Sequence, residues 1–502
     1  MSESPYDKIP YSNNCFPETH PRRMRTAGVL LGLSPPPHET ARVLELGCGR
    51  GGNLLPMAEQ YPEARFVGID LSERQIAEAK EATAHVGAPN IEFRHMSITD
   101  VTKAFGEFDY VICHGVFSWV PPAVRDHILT VCRENLSPTG VAFISYNTYP
   151  GWHLRGLARD VMNYHAKHCA DPEEGLAEAR TLLRLLAEAP ILQSRPISTV
   201  LKSEVEQIKD KDDAYLLHEY LEEYNQPYYF HEFMTLAAGA GLQYLADGRA
   251  NAFPVAQVGK EAAAFVERYA GDVVRAEQYA DFFRSQMFRR SYVCRAGQPV
   301  DWPGAAGRTL GLHVTSSLRR RPDAKVAHKD QVQFATPRGN GVVSGDPLVK
   351  AALAALEAAF PRAIPFEALC DQVLAAVKVP PAQGAAVRSQ LAAQVSGFWK
   401  GNLLELDVTP ATFAHAVTER PKASPVARLY AKAQALVPTR RHDMASLDDV
   451  GRQVIQLVDG SRTSEQMLDV FLADKPHVKR DGVRAQLTQL LNGFAGQALL
   501  VG

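Results

Sequence analysis

The chain has 502 residues, 46% of them hydrophobic, and a formal net charge of −2. That length predicts about three domains, each able to bury a core, and that apolar content excludes a disordered chain. Balanced charge gives no overall electrostatic case for nucleic acid, and no stretch approaches 18 uninterrupted apolar residues, so neither a nucleic-acid partner nor membrane insertion is expected.

The seven cysteines (15, 48, 113, 132, 169, 294 and 370) include no C-x-x-C pair. This excludes the usual zinc spacings, predicts no metal and fits a reducing compartment. With no apolar signal region in Met-Ser-Glu-Ser-Pro-Tyr, a cytoplasmic protein is expected. The basic runs Arg289–Arg290, Arg319–Arg321 and Arg440–Arg441 read as solvated surface.

Residues 1–37 form a polar, proline-punctuated arm with one helical stretch near 21–33, placed either to close over the next domain as a lid or simply to pack on it. From 38 to 150 strands and helices alternate in the manner of an α/β sheet. Strands are predicted at 42–46, 66–69, 91–94, 108–113 and 141–146, with a capping box at Ser72–Gln75 and a turn at Leu136–Gly140. Later strands could complete this sheet. Residues 151–298 read as helix and loop, with strong apolar spacing at Leu176, Leu182, Leu183, Leu185 and Leu186. Residues 299–410 hold short strands, three helical segments and an apolar strand, a winged-helix-like order. Residues 411–502 hold four more helical segments.

Chemistry concentrates at Val43-Leu-Glu-Leu-Gly-Cys-Gly-Arg-Gly-Gly-Asn53, a strand running into a glycine loop, followed by a second strand that ends in Asp70. Gly47, Gly49 and Gly52 satisfy the dinucleotide pattern G-x-G-x-x-G. Glu45 argues against a pyrophosphate, which wants helix-end N–H groups and no added negative charge. It favours S-adenosylmethionine, whose sulfonium and ammonium are cationic. Gly47, Cys48, Gly49, Gly51 and Asn53 would then line the methionine moiety. Asp70, with Leu71 after it, would take the ribose hydroxyls, and Ser97 and Ile98 would lie by the adenine, where an acid is replaced by Ser97 or displaced to Asp100.

Ligands of open α/β sheets bind at the carboxyl ends of strands. His114 and Gly115 after the fourth strand, and Tyr146 and Asn147 at the end of the fifth, are therefore expected at the rim. His114 reads either as a cofactor or substrate contact or as a structural histidine, and Trp119 as a cage wall or as core. Tyr149 and Trp152 could simply anchor the next helix. Tyr11 or His20 of the arm would sit near the reacting centre. An amine acceptor needs a dry aromatic pocket, since freeing a lysine lone pair at neutral pH costs roughly 4–5 kcal/mol.

The stretch from Leu46 to Trp152, above all His114–Pro121 and Ser145–Trp152, resembles bacterial methyltransferases that carry a methyltransferase regulatory domain. Tyr6–Tyr11 and Phe16–Pro21 match their openings, and Tyr215–Glu222 with Gly241–Leu245 is similar to the regulatory domain itself. The remainder resembles, more loosely, the C-terminal winged-helix part of bacterial protein-lysine methyltransferases of outer-membrane proteins. The resemblance implies an α/β class I methyltransferase doubly wound sheet, a helical regulatory domain and a C-terminal winged-helix-like α+β region. It implies S-adenosyl-L-methionine as cofactor and protein lysine as one substrate class, and leaves a homodimer open. A small-metabolite methyltransferase with 150–300 as a lid, and a non-enzymatic cofactor-binding regulator, remain the alternatives.

Overall fold

The computed structural model describes residues 13–169, 171–248, 259–322, 324–326, 328–336, 339–473 and 479–502. Its centre is a seven-stranded sheet in the order β3-β2-β1-β4-β5-β7-β6. The strands are β1 (Arg42–Leu46), β2 (Arg65–Asp70), β3 (Ile91–His95), β4 (Phe108–Cys113), β5 (Leu136–Asn147), β6 (Leu242–Asp247) and β7 (Phe288–Arg295). Strands β1 to β5 pair in parallel, and β7 runs antiparallel to both neighbours. Parallel strands covered on both faces become nearly continuous apolar runs, as in β4 and in Val141–Ile144 of β5.

Two expectations change here. Later strands do complete the sheet, and the segment 151–298, expected to be helix and loop, supplies them as β6 and β7. The turn expected at Leu136–Gly140 lies inside β5: Leu136 pairs with Phe108, and the register then slips before Tyr110. Gly140 permits the slip, since a Cβ there would lie 2.7 Å from the Asp109 carbonyl oxygen.

Helices α1 (Pro21–Leu30), α2 (Leu54–Gln60), α3 (Glu73–Val86) and α4 (Pro122–Glu134) surround the sheet. Helix α3 starts where Ser72 Oγ accepts from the Gln75 N–H and stops at Gly87, φ 74°. Helices α5 (Trp152–Ala166), α6 (Pro172–Glu188) and α7 (Pro196–Ile208) bury their own core of Leu176, Leu183, Leu201 and Tyr220. Leu185, on the opposite face of α6, stays exposed.

Further on, the helix 347–359, strand 364–365, helices 366–377 and 384–400 and strand 405–407 follow one another, and strand 313–315 lies between the two short strands. The segment 411–502, expected to be purely helical, is α+β. Its four helices are joined by an antiparallel pair, Leu436–Pro438 with Met444–Ser446, and by bridges Lys422–Asp459 and Ala423–Leu500.

A buried polar seam joins α1 to this C-terminal half. Arg22 pairs with Asp407 at 3.3 Å, Arg23 with Glu405 at 3.1 Å and Arg441 with Glu405 at 2.7 Å. Among these charges lie His20, His38 and His442, with the His20 ring 5.0 Å from that of His442 and 5.5 Å from that of Tyr61. Burial first, then Arg22, lowers His38 and His442 to about 3; burial and then His442 lower His20 well below its usual range. Folded, the three stay neutral; unfolded, they protonate below about 6.5. Stability is therefore lost as pH falls from about 6.5 toward 3. We expect His38→Gln to flatten this acid slope by roughly 1.4 kcal/mol per pH unit in denaturant titrations at pH 7, 6 and 5. An unchanged slope would show that His38 is already charged in the fold.

Candidate functional site

The glycine loop turns at the carboxyl end of β1, between Leu46 and α2. Gly47, Gly49 and Gly51 all have positive φ (74°, 53° and 74°), which β-carbons disfavour. Their surroundings divide the work. A Cβ at Gly47 would meet Val116 at 2.5 Å and one at Gly51 the Phe93 ring at 2.3 Å, so these two glycines serve packing. At Gly49 the nearest neighbour is Gln75 Oε1 at 3.1 Å, and at Gly115, φ 68°, no atom comes within 4 Å. Those two leave their outer faces open to a ligand. Asp70 braces the loop from the end of β2, with one carboxylate oxygen accepting from the Gly49 N–H at 2.8 Å and the other from the Ser72 N–H at 2.9 Å.

Beneath the loop Glu45 is 3% exposed. Its Oε1 accepts from Asn53 Nδ2 at 2.8 Å, and its Oε2 is buried with no hydrogen-bond partner. Burial pushes Glu45 up to about 8 against the Asn53 hydrogen bond, and Asp70 adds to the rise. A buried carboxyl with an unused oxygen, next to a loop with an open face, suits an ammonium group. Asn53 is itself a junction. Its Oδ1 accepts from the Phe16 N–H at 3.1 Å and from His442 Nε2 at 2.9 Å; the Thr19 hydroxyl, 3.0 Å away, has one proton and lies closer, at 2.8 Å, to the Phe16 carbonyl oxygen.

Beside the loop, Leu71 is 63% exposed, unusual for a leucine following a buried strand, and Ile98 is half-buried. Both offer an apolar face for a planar base. Ser97 is committed locally: its N–H donates to Asp100 and its hydroxyl accepts from the Thr99 N–H, capping the turn Ile98–Asp100. Cys48 is buried, its thiol directed at the Gly49 carbonyl and pushed up by burial.

The rim differs from expectation. His114 lies in a stack, 3.8 Å from the Phe16 ring and 5.8 Å from that of Phe143, with Phe288 edge-on at 6.3 Å. Tyr146 does not reach the rim. It is 1% exposed, stacked on Phe233 at 4.0 Å with its hydroxyl on Ser291, because its side of β5 faces the helix Phe230–Gly239. Asn147 is also buried. Its N–H donates to Ser118 Oγ and its side chain to Asn225, holding the chain before that helix. Trp119 packs edge-on against Trp152 at 6.1 Å and under Arg159, anchoring α5. Tyr11 lies outside the described residues. His20 is 1% exposed and caps α1 by accepting from the Arg22 N–H, so Phe16 takes the place over His114.

Sequence reasoning missed Phe16, Phe288 and His442 as site residues. The first was legible in the arm motif; the other two lie hundreds of residues from the loop and left no local signal. Of groups able to hold a metal, the described residues contain His165, Cys169 and Glu178, on the α5–α6 hairpin and apart from these elements.

The strand order, the loop and the acid at the end of β2 define a class I methyltransferase core. Family models match a methyltransferase domain over residues 43–140, a predicted methyltransferase regulatory domain over 212–295 and a PKMT C-terminal winged helix domain over 419–499. An uncharacterized Rickettsia prowazekii protein is 44% identical over 293 residues, 58% of this chain and 52% of its own length, so the chain spans about half of that relative. A second, also uncharacterized, is 41% identical over 232 residues, 46% of this chain and 93% of its own. Among solved structures, PKMT2 from Rickettsia typhi in complex with AdoHcy superposes with a TM-score of 0.85 at 29% identity, over 98% of this chain and 100% of that one. The chain belongs to the family of the second Rickettsia prowazekii protein, and its own sequence matches methyltransferase, regulatory and PKMT winged helix domains in turn. The PKMT match places a winged helix domain at 419–499, in the segment read from sequence as helical, beyond the winged-helix-like order at 347–407.

The raised pKa of Glu45 sets a stability test. Neutral in the fold up to about 8 and ionised when unfolded above about 4.5, it contributes stability that is lost as pH rises between those values. Glu45→Gln keeps the acceptor for Asn53. Its stability relative to the parent should rise by roughly 1.4 kcal/mol per pH unit across that window in denaturant unfolding. A constant difference from pH 5 to pH 8 would place Glu45 in an ordinary polar environment.

Proposed function

We propose that the protein is an S-adenosylmethionine-dependent methyltransferase whose acceptors are lysine side chains of proteins. The observation that carries this reading is the likeness to PKMT2 across nearly the whole chain, including the C-terminal segments that a cofactor domain alone would not need. Bound in the loop, S-adenosylmethionine supplies an electrophilic methyl group on a sulfonium. The residues present fit it: Glu45, with its partnerless Oε2, would hold the ammonium, Asp70 would take the ribose hydroxyls beside its loop contacts, and Leu71 and Ile98 would lie against the adenine.

What remains for the protein is orientation and desolvation. Phe16, His114 and Phe288 form an apolar wall in which a lysine amine sheds water, lowering the cost of its neutral form. An amine made neutral against this wall would be free to accept the methyl group that the cofactor would supply, its remaining proton passing to solvent. A cytoplasmic location belongs to the same reading; the seven cysteines are all unpaired, and no helix among the described residues is long and apolar enough to cross a membrane.

Incubating lysate with purified protein and radiolabelled methyl donor should place label in protein bands as acid-stable methyl-lysine. Label in small solutes alone would transfer the assignment to a metabolite acceptor. Asp70→Ala should weaken AdoHcy binding by about 1.5–3 kcal/mol in calorimetry, the scale of lost charge-assisted hydrogen bonds. An unchanged affinity in a folded variant would remove Asp70 from the ribose. Gly49→Val should abolish binding and, at φ 53°, also lower the melting temperature, as should Gly51→Ala, driven into Phe93.

A further inference from the structure

We propose that His442, from the C-terminal winged helix segment, is a positioning residue for the cofactor site, fixing Asn53 and through it the carboxyl of Glu45. The proposal rests on the cofactor reading above. Its starting point is hydrogen-bond bookkeeping. The Phe16 N–H can only donate, so the Asn53 atom that faces it is the oxygen. His442 Nε2, 2.9 Å from the same oxygen, must then carry the ring's proton. Burial keeps the ring neutral, so that proton is its only one. With the oxygen held by the Phe16 N–H and the His442 Nε2–H, planarity of the amide directs Nδ2 to Glu45 Oε1 at 2.8 Å, and Oε2 is left as the partnerless atom. Turning the amide over would set its NH2 group against the Phe16 N–H and would force the His442 proton onto Nδ1. Both donors onto Oδ1 therefore raise the cost of the wrong orientation.

The loop that carries His442 is built to present it. Residue 442 has φ 64°, a left-handed conformation rare outside glycine. The turn is closed by Thr439, whose hydroxyl accepts from the N–H groups of Arg441 and Asp443. Ion pairs hold it on both sides: Arg440 reaches Glu59 on α2 at 3.0 Å, and Arg441 reaches Glu405 at 2.7 Å. Ser424 also donates to Glu59. The strained residue is thus clamped against the helix that begins at Asn53. Docking of the C-terminal segment and readiness of the cofactor carboxyl are one event.

The test measures AdoHcy affinity by calorimetry for the full chain, His442→Ala, His442→Gln, Glu45→Gln and the double variant Glu45→Gln/His442→Ala. Melting profiles confirm folding. His442→Ala should bind roughly tenfold more weakly, the scale of one buried hydrogen bond. His442→Gln, which keeps a donor at the same reach, should recover to within about threefold. In the Glu45→Gln background the His442→Ala change should have less than about a threefold effect, because the group it positions is gone. Wild-type affinity in folded His442→Ala, or the same tenfold loss in both backgrounds, would overturn the proposal. If the unmodified chain binds no AdoHcy, the cofactor reading itself fails, and the two failures are distinguishable. Should His442→Ala not fold, His442→Phe, which fills the space of the ring without a donor, takes its place with the same expected tenfold loss; wild-type affinity there would count against the relay.

Discussion

One amide holds this molecule in working order. Asn53 stands where the glycine loop becomes α2, and its two ends bind groups from three places in the chain: Glu45 beneath the loop, Phe16 in the arm, and His442 in the C-terminal half. Buried amides are costly unless satisfied, so the arm and the C-terminal half cannot leave without exposing Asn53 to that cost. This explains why the seam around it is so polar. Arg22, Arg23 and Arg441 are matched with Asp407 and Glu405, and the histidines fill the space between them in their neutral form. Such a seam is specific before it is strong. Buried ion pairs roughly offset their own desolvation, yet each unmatched partner would be expensive.

The arm is packed against the carboxyl ends of the sheet. Glu18 is bound from β7 twice, by Arg290 on its carboxylate at 2.7 Å and by the Tyr292 hydroxyl on its carbonyl at 2.6 Å. That grip sets Phe16 over His114. The rim is consequently aromatic on one side, with the carboxylate of Asp70 on the other and the neutral carboxyl of Glu45 buried beneath the loop.

Much of this was legible in the sequence because it is local. The strand–loop–helix–strand–acid order specifies the first half of the sheet, and its apolar runs mark β1 and β4 with little error, while β5 begins five residues earlier than its apolar run. Alternation cannot tell what will cover each face of a strand, and so Tyr146 was read as rim when the helix Phe230–Gly239 buries it. Strands β6 and β7 were missed because Leu242–Asp247 and Phe288–Arg295 sit among helices, and they become strands only by pairing with β5 and each other. His442 lies 389 positions from Asn53. No spacing rule reaches that far.

The late arrival of β7 bears on how the chain is made. Synthesis proceeds from the N-terminus, and β1 to β5 can assemble as soon as they emerge. The outer edge of β5, with the apolar run Val141-Ala-Phe-Ile144, then waits for a partner that begins only at Phe288. An unpaired apolar edge is a template for joining another chain. Between the two strands lies the α5–α7 bundle, whose contacts are local and whose core is its own, so it can fold at once. During that interval the growing polypeptide carries a folded helical unit beside its open edge, and the nascent sheet is shielded by the bulk of a neighbour that contributes no strand to it.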